Sequence, residues 1–241
     1  MKNYLSFGGG VNSVALYLYL VDQGIDFEAV FVNHYTDWPE TYDYVAGFQW
    51  WLKREGLRPI TVLHPFVQGS YSLYDHCWKY EMFPSFMRRW CTHKFKIKPL
   101  MQYFKPPAYS MLGIDAGEAH RAKIVSENGI ENRYPLVEAN ISRDGCKEII
   151  RAHGLPVPQK SGCFICPYQR QGQWKRLRAK HPDLFCRAEQ LEKRNMNYRI
   201  SLGKTPLFLC MYPKAKLRDV VNEKQRKLWA QDEYPPCHCG L

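Results

Sequence analysis

Three consecutive glycines, Gly8, Gly9 and Gly10, lie between two patterned segments at the start of the chain. The segment before them, Lys2–Phe7, is predicted to form a β-strand, and Asn12–Gln23 has the apolar spacing of an amphipathic helix. Glycine adopts left-handed backbone angles and lets another molecule approach the main chain, but it costs conformational entropy on folding. A glycine turn from strand to helix exposes backbone N–H groups and the positive end of the helix dipole, so we expect an anion-binding site here.

The alternation of strand and helix continues along the chain. Further strands are predicted at Phe27–Asn33, Ile60–Leu63, Tyr109–Ile114 and Tyr134–Val137, and further helices at Pro39–Glu55 and Asp144–His153. Such alternation is typical of an α/β fold, a parallel sheet with helices on both faces joined by right-handed crossovers. Ligands of these sheets bind beyond the carboxyl ends of the strands, which is where the glycine turn lies.

The pattern changes after Ser161 to a basic, helix-prone segment. We therefore predict an α/β domain in residues 1–160 and a small, cysteine-containing C-terminal region in residues 161–241 that packs on it. No apolar run reaches the roughly 20 residues that cross a bilayer, and the N-terminus lacks the pattern of a signal peptide. We expect a cytoplasmic protein that makes no membrane contact.

The chain carries a formal net charge of +11, which favours polyanionic partners. Much of the excess lies in the C-terminal third, where basic residues alternate with aromatic ones such as Trp174 and Tyr198. This segment could hold tRNA or DNA by phosphate contacts and base stacking, or it could be a solvated basic helix. Nucleic acid is therefore a predicted partner.

The glycine turn does not match the two commonest phosphate-binding patterns. A Walker A loop requires a lysine that is missing here, and a dinucleotide fingerprint fails at Ser13. The turn resembles the S-G-G-x-D-S loop of the PP-loop ATP pyrophosphatases, the adenine nucleotide alpha hydrolase superfamily. Gly8 replaces the first serine, and Asn12 replaces the aspartate while keeping an oxygen that could cap the helix. The resemblance implies a nucleotide-binding loop formed by Ser6, Gly8, Gly9, Gly10, Asn12 and Ser13.

Three later segments resemble the phosphoadenylyl sulfate (PAPS) reductase branch of that superfamily. They are residues 37–41 (DWPET), 89–100 (RWCTHKFKIKPL) and 113–121 (GIDAGEAHR), and the resemblance spans residues 4–170. It implies that residues 1–160 bind ATP with Mg²⁺. Arg121 and Lys94 or Lys98 would supply positive charge to the transferring group, and Asp37 or Glu118 would hold the magnesium ion.

The nine cysteines, without a signal peptide, favour metal binding or thiol chemistry over structural disulfides. Cys163 and Cys166 form a C-x-x-C pair, and the family resemblance places Cys91 beside them, as in the iron-sulfur branch. Three cysteine ligands would suit a 4Fe-4S cluster with one open iron, or zinc as the alternative. Cys237 or Cys239 would be the fourth ligand, or the catalytic cysteine that sulfonucleotide reductases carry in a similar tail.

Three functions follow from these residues. The first is an ATP-dependent, iron-sulfur sulfurtransferase that releases AMP and pyrophosphate and modifies nucleic acid, with a partner protein as a possible sulfur donor. The second is a PAPS or APS reductase that releases sulfite through Cys239 or Cys237. The third is a non-catalytic, zinc-stapled nucleic-acid-binding protein.

Overall fold

A six-stranded sheet forms the centre of the computed structural model, which describes residues 1–84, 88–123, 125–211 and 214–222. Its strands are β1 (Lys2–Phe7), β2 (Glu28–Val32), β3 (Thr61–Leu63), β4 (Ala108–Leu112), β5 (Ser126–Glu127) and β6 (Ile130–Arg133). They are arranged in the order β3-β2-β1-β4-β6-β5, and all pairs are parallel except β5 with β6. The chain leaves β1 toward β2 on one side and reaches β4 on the other, so a crevice opens between the carboxyl ends of β1 and β4.

Helices cover both faces of this sheet. The α-helices are α1 (Val11–Asp22), α2 (Pro39–Arg54), α3 (Leu73–Lys79), α4 (Trp90–Thr92), α5 (Lys98–Tyr103), α6 (Pro135–Glu138), α7 (Arg143–Ala152), α8 (Gln171–Lys180), α9 (Pro182–Ser201) and α10 (Leu217–Asn222). A π-helix spans His93–Ile97, a 3₁₀-helix spans Ala116–Arg121, and a small hairpin joins β7 (Cys210–Met211) to β8 (Lys214–Ala215). The predicted α/β class, with a parallel sheet between two helical layers, is confirmed.

Three of the four apolar clusters among the described residues hold these layers together. On one face, Phe7 and Phe31 pack with α1, α2 and α7, and on the other face Tyr4 and Val30 pack with α5. A third cluster joins α3, α8, α9 and α10 around the fully buried Trp174. Within the described residues, no helix is long and apolar enough to cross a membrane.

One predicted strand is wrong. Residues 134–137 were expected to be extended, but Pro135 opens the short helix α6, and the strand is β6, just upstream. Proline lacks a backbone N–H and has a fixed φ, so it suits the first position of a helix. β6 is hard to recognise because Glu131, Asn132 and Arg133 are polar, although Asn132 is buried at 7% exposure.

Candidate functional site

The glycine turn is tightly packed on one side and open on the other. Gly9 has a φ of +68°, and a Cβ there would lie 2.9 Å from a methyl group of Val45. A Cβ on Gly10 would lie 2.8 Å from the hydroxyl of Ser161. Around Gly8, by contrast, an added Cβ would meet nothing within 4 Å. The turn therefore presses against α2 and the C-terminal region while its Gly8 side leaves space for a ligand.

A cavity of about 960 Å³ lies at this turn, between the carboxyl ends of β1 and β4. Its volume falls within the range of small-molecule sites. Apolar side chains line one part of it, namely Val30, Val32, Ile97, Leu100 and Leu112. Basic side chains line another part, namely Lys96, Arg121, Arg143, Lys147, Lys160 and Arg176. The cavity thus combines an apolar surface that suits an aromatic base with a cationic surface that suits phosphates.

Two serines of the predicted loop also line this cavity. Ser13 is buried and donates its hydroxyl to the Gly10 carbonyl oxygen at 3.0 Å. The hydroxyl of Ser6, at the carboxyl end of β1, is buried and has no hydrogen-bond partner within the described part of the chain. A buried hydroxyl without a partner is costly, so the Ser6 oxygen is available to a group that enters the cavity.

Asn12 does not cap α1 as expected. The N-cap is Gly10, which makes no side-chain cap, and Asn12 lies within the first turn. The Asn12 side chain donates from Nδ2 to Asp115 Oδ2 at 2.8 Å and accepts at Oδ1 from Arg143 Nη1 at 3.0 Å. Asn12 and Asp115 are buried, at 7% and 2% exposure. The carboxylate missing from position 12 thus lies next to it, at the end of β4.

Arg121 and Glu118, for which an anion-binding and a metal-binding role were predicted, both line the large cavity. They form an ion pair with each other, with Arg121 Nη1 2.7 Å from Glu118 Oε2. Lys147 makes a similar pair with Asp144 at 2.7 Å. Arg143 contacts an amide oxygen instead of a carboxylate, so its charge is less compensated locally than those of Arg121 and Lys147.

Neither Lys94 nor Lys98, the lysines predicted to supply positive charge, is among the residues that line the large cavity. Lys94 donates to Gln68 Oε1 at 3.2 Å, and Lys98 is exposed. Lys96, which lies between them, lines the cavity. Residues 93–97 form a π-helix, whose hydrogen bonds run from i to i+5, so the spacing of an ordinary α-helix does not apply to these lysines.

The three predicted metal ligands Cys91, Cys163 and Cys166 line a second, small cavity of about 30 Å³, as do His34 and Arg89. Lys96 and Thr92 line both cavities, so the thiols lie next to the nucleotide-sized space. Cys237 and Cys239 lie outside the described residues.

Asp37, predicted to hold magnesium, lies beside the thiols instead. It is 5% exposed, and its Oδ1 accepts from Cys163 Sγ at 3.6 Å. Its Oδ2 is 3.4 Å from Nε2 of His34, and the same nitrogen is 3.6 Å from Cys163 Sγ. Three buried donor groups from two separate loops therefore converge on one point, and this arrangement could hold a metal ion.

Burial and local charge set the protonation states of these groups. Burial lowers the pKa of His34 to about 4, which leaves its ring neutral at pH 7. Burial also opposes ionisation of Asp37, but attraction by His34 and Lys96 and the hydrogen bond from Cys163 keep the pKa of this carboxyl below its ordinary value. Burial, reinforced by the charge of Asp37, raises the pKa of the Cys163 thiol well above its usual value. A cation bound between them would favour the thiolate.

The C-terminal region contributes less stacking surface than its composition suggests. Trp174, expected to stack on a base, is fully buried in the third cluster. Arg176 on the same helix lines the large cavity, and Tyr198 on α9 is 41% exposed.

No protein-family model matches the chain, and no curated protein matches it. Among solved structures, the chain is similar to the crystal structure of phosphoadenylyl-sulfate (PAPS) reductase from Candida auris in a phosphate complex. The two are 16% identical with a TM-score of 0.50, and the match covers 68% of this chain and 81% of that chain. The chain has the fold of a PAPS reductase.

Within this reductase fold, sequence reasoning missed four residues of the two cavities: His34, Lys96, Asp115 and Arg143. Three of them follow or precede a predicted element directly, at the carboxyl end of β2, the end of β4 and the start of α7. That position at a strand end or helix start is the signal that could have found them. For Lys96, the π-helix left no such signal.

Proposed function

We propose that the protein is an ATP-dependent sulfurtransferase, which activates its acceptor as an adenylate and then replaces AMP with sulfur. The observation that carries this proposal is the adjacency of the two cavities. The larger one has the volume and the mixed apolar and basic lining that suit an adenine nucleotide, and the smaller one has three thiols. Lys96 and Thr92 line both, so a reacting phosphate and a sulfur centre would be neighbours.

The first chemical step would take place at the glycine turn. An acceptor oxygen would attack the α-phosphorus of ATP, a new P–O bond would form, and the bond to the leaving pyrophosphate would break. Backbone N–H groups at the start of α1 and the guanidinium of Arg143 would stabilise the charge that develops on the phosphate oxygens. Magnesium prefers carboxylate oxygens, and Glu118 and Asp115 both line this cavity.

The second step would use a sulfur donor at the oxidation level of hydrosulfide. Its sulfur would attack the activated carbon, the carbon–oxygen bond would break, and AMP would leave with the electron pair while the sulfur loses its proton. The cationic Lys96 would attract this anionic donor to the boundary between the cavities. The net charge of +11 and exposed residues such as Tyr198 support a nucleic-acid acceptor.

The small cavity limits which metal group the thiols can bind. A 4Fe-4S cluster would provide an open iron that carries sulfur, and it brings eight atoms. A cavity of 30 Å³ holds about two water-sized atoms, so the geometry favours the single-ion alternative, zinc. The steps above therefore do not depend on a cluster.

The test is an anaerobic assay of the full chain with ATP, sulfide and either tRNA or DNA. We expect release of AMP and pyrophosphate that depends on the acceptor, together with sulfur in the recovered nucleic acid. The Lys96→Met variant should lose most of this turnover, whereas Lys94→Met, which alters a lysine bonded to Gln68, should retain it. Absence of pyrophosphate with every acceptor would contradict the proposal.

Reduction of PAPS or APS is the second candidate, and the solved-structure similarity favours it. In that reaction a cysteine thiolate attacks the sulfur of the sulfonucleotide, the sulfur–oxygen bond to the phosphate breaks, and the nucleotide leaves. A second thiol then releases sulfite as a disulfide forms, with an external dithiol as reductant. The Cys239→Ser variant should abolish sulfite release with PAPS or APS, and unchanged release would exclude that residue.

A measurement of nucleotide binding tests the third hypothesis, a nucleic-acid-binding protein without catalytic activity. Calorimetry should show that the chain prefers ATP to inorganic phosphate if the large cavity binds a nucleotide. Equal, weak binding of both anions would instead favour a metal-stapled scaffold that binds nucleic acid without chemistry.

A further inference from the structure

The clearest unexplained feature of the molecule is the meeting of His34, Asp37 and Cys163. Their ligand atoms all lie within 4.8 Å of one another, His34 and Asp37 are buried, and Cys163 is half-buried. The three separations are 3.4 Å from His34 Nε2 to Asp37 Oδ2, 3.6 Å from that nitrogen to Cys163 Sγ, and 3.6 Å from Sγ to Asp37 Oδ1.

These separations are close to the ligand–ligand distances around a tetrahedral zinc ion. With Zn–S of about 2.3 Å, Zn–N of about 2.05 Å and Zn–O of about 2.1 Å, tetrahedral geometry separates N from S by about 3.6 Å, O from S by about 3.6 Å and N from O by about 3.4 Å. The N–S and N–O separations agree with these values, and the S–O separation of 3.6 Å agrees as well but is measured to Oδ1 of Asp37, whereas the N–O separation is measured to Oδ2. The carboxylate and the imidazole, at 3.4 Å, are also farther apart than the 2.7–3.2 Å of an ordinary N–H···O hydrogen bond.

The arrangement is not that of a catalytic triad. In a triad, the nucleophile and the carboxylate bind opposite nitrogens of the histidine. Here both Asp37 and Cys163 face Nε2, while Nδ1 of His34 has no hydrogen-bond partner among the described residues. The imidazole nitrogen, the carboxylate and the thiol therefore surround one point, and this arrangement suits a cation that all three bind.

The charges of the three groups also favour a divalent cation. A thiolate, a carboxylate and a neutral imidazole carry a charge of −2, which a divalent ion would cancel. Buried charges are costly unless they are paired or coordinate a metal.

The backbone also fixes the two loops that carry the ligands. The N–H of Trp38 donates to the Gly162 carbonyl at 2.9 Å, and the N–H of Phe164 donates to the Thr36 carbonyl at 2.9 Å. These bonds flank the bridge between Asp37 and Cys163. The ligands are therefore held in place by a short antiparallel ladder, as a preorganised site requires.

We propose that His34 Nε2, the Asp37 carboxylate and the Cys163 thiolate bind one zinc ion, with the fourth coordination position open toward the small cavity. Cys91 and Cys166 line that cavity without being ligands. Three protein ligands and an open position are typical of catalytic zinc sites, whereas structural sites are closed by four. The donor set of one thiolate, one imidazole and one carboxylate suits zinc.

The first test measures metal in the full chain purified anaerobically without metal chelators. We expect about one zinc per chain, with no acid-labile sulfide. The near-isosteric variants His34→Gln, Asp37→Asn and Cys163→Ser should lose most of the zinc. Four irons with four sulfides, or zinc that is retained in both His34→Gln and Asp37→Asn, would overturn the proposal.

Matched controls alter the same residue types elsewhere. His153→Gln and Asp22→Asn change a surface pair that lies 3.1 Å apart, and Cys186→Ser changes an exposed thiol. These variants should retain full zinc. Cys91→Ser and Cys166→Ser should retain it as well, and loss of zinc in either would transfer the site to the cysteines and overturn the ligand set proposed here.

A second measurement does not depend on whether any variant folds. X-ray absorption at the zinc edge of the wild-type chain should show one sulfur at about 2.3 Å and two or three nitrogen or oxygen neighbours at about 2.0–2.2 Å. Two or more sulfur neighbours would refute the site. The result is independent of the sulfurtransferase proposal, because it needs no nucleotide and no acceptor.

Discussion

Placing at position 12 the aspartate of the PP-loop pattern that the glycine turn resembles should destabilise this protein. The Asn12→Asp substitution replaces the amide nitrogen, 2.8 Å from Asp115 Oδ2, with a carboxylate oxygen. Two charges at that distance repel by about 6 kcal/mol at an effective dielectric constant of 20. Arg143 is exposed, so its attraction to the new carboxylate at 3.0 Å offsets only about 1 kcal/mol.

Protonation of one of the two neighbouring carboxyl groups limits the free energy of folding that the Asn12→Asp variant loses. A carboxyl with an ordinary pKa of about 3.9 can be protonated at pH 7 for about 4 kcal/mol and at pH 5 for about 1.5 kcal/mol, and the acid can then donate a hydrogen bond to its neighbour. The folded-state pKa of the pair is raised above its unfolded value. The destabilisation is therefore largest at neutral pH and shrinks as the pH falls.

Thermal unfolding followed by circular dichroism measures both effects. Relative to wild type at the same pH, we expect a Tm lower by about 10 °C at pH 7 and by about 4 °C at pH 5. The double variant that adds Asp115→Asn exchanges the two groups and should recover most of the loss. A Tm unchanged at pH 7, or a loss that does not shrink at pH 5, would refute the reasoning.

Four other substitutions, one of them a control, test the packing and charge of the cavity and of the C-terminal helices. Gly113→Ala places a Cβ about 2.9 Å from the backbone nitrogen of Ser13 and should cost about 1–3 kcal/mol; an unchanged urea midpoint would contradict that close approach. Lys96→Met should weaken ATP binding about tenfold by calorimetry, while Lys94→Met should change it less than about twofold, and equal effects would contradict the assignment of Lys96 to the cavity. Glu192→Gln removes one of two carboxylate acceptors for buried backbone N–H groups at 2.8 and 3.0 Å; it should cost about 1–3 kcal/mol, and a neutral effect on the urea midpoint would argue against these bonds.

The fold was predictable because its pattern is periodic. Alternating apolar strands and helices gave the parallel sheet, and the glycines marked the turn at its crevice. β6 escaped prediction because three of its four residues are polar, and it lies in the sheet by pairing with β4. Its polar side chains obscured the apolar alternation on which the prediction depends.

The site was less predictable because its residues come from distant segments. The spacing of Cys163 and Cys166 predicted a chelating pair, and the family resemblance grouped Cys91 with them. His34 carries no comparable motif, and the segment 37–41 predicted a magnesium role for Asp37 rather than a position beside the thiols. The β-bridge between Asp37 and Cys163 places the 34–37 segment beside the thiol, and it joins two segments that are far apart in the sequence.

The position of Asp115 bears on whether the nucleotide loop is degenerate. An asparagine at position 12, where the PP-loop pattern that the turn resembles has aspartate, favours a scaffold without chemistry, because the loop lacks that negative charge. In the folded protein, the buried Asp115 carboxylate lies 2.8 Å from the Asn12 amide, and an asparagine is the residue that can donate to it. Asn12 and Asp115 therefore act as an exchanged pair that keeps one carboxylate at the loop. Asn12 then ceases to be evidence against catalysis, and the same exchange explains why an aspartate at position 12 should be harmful here.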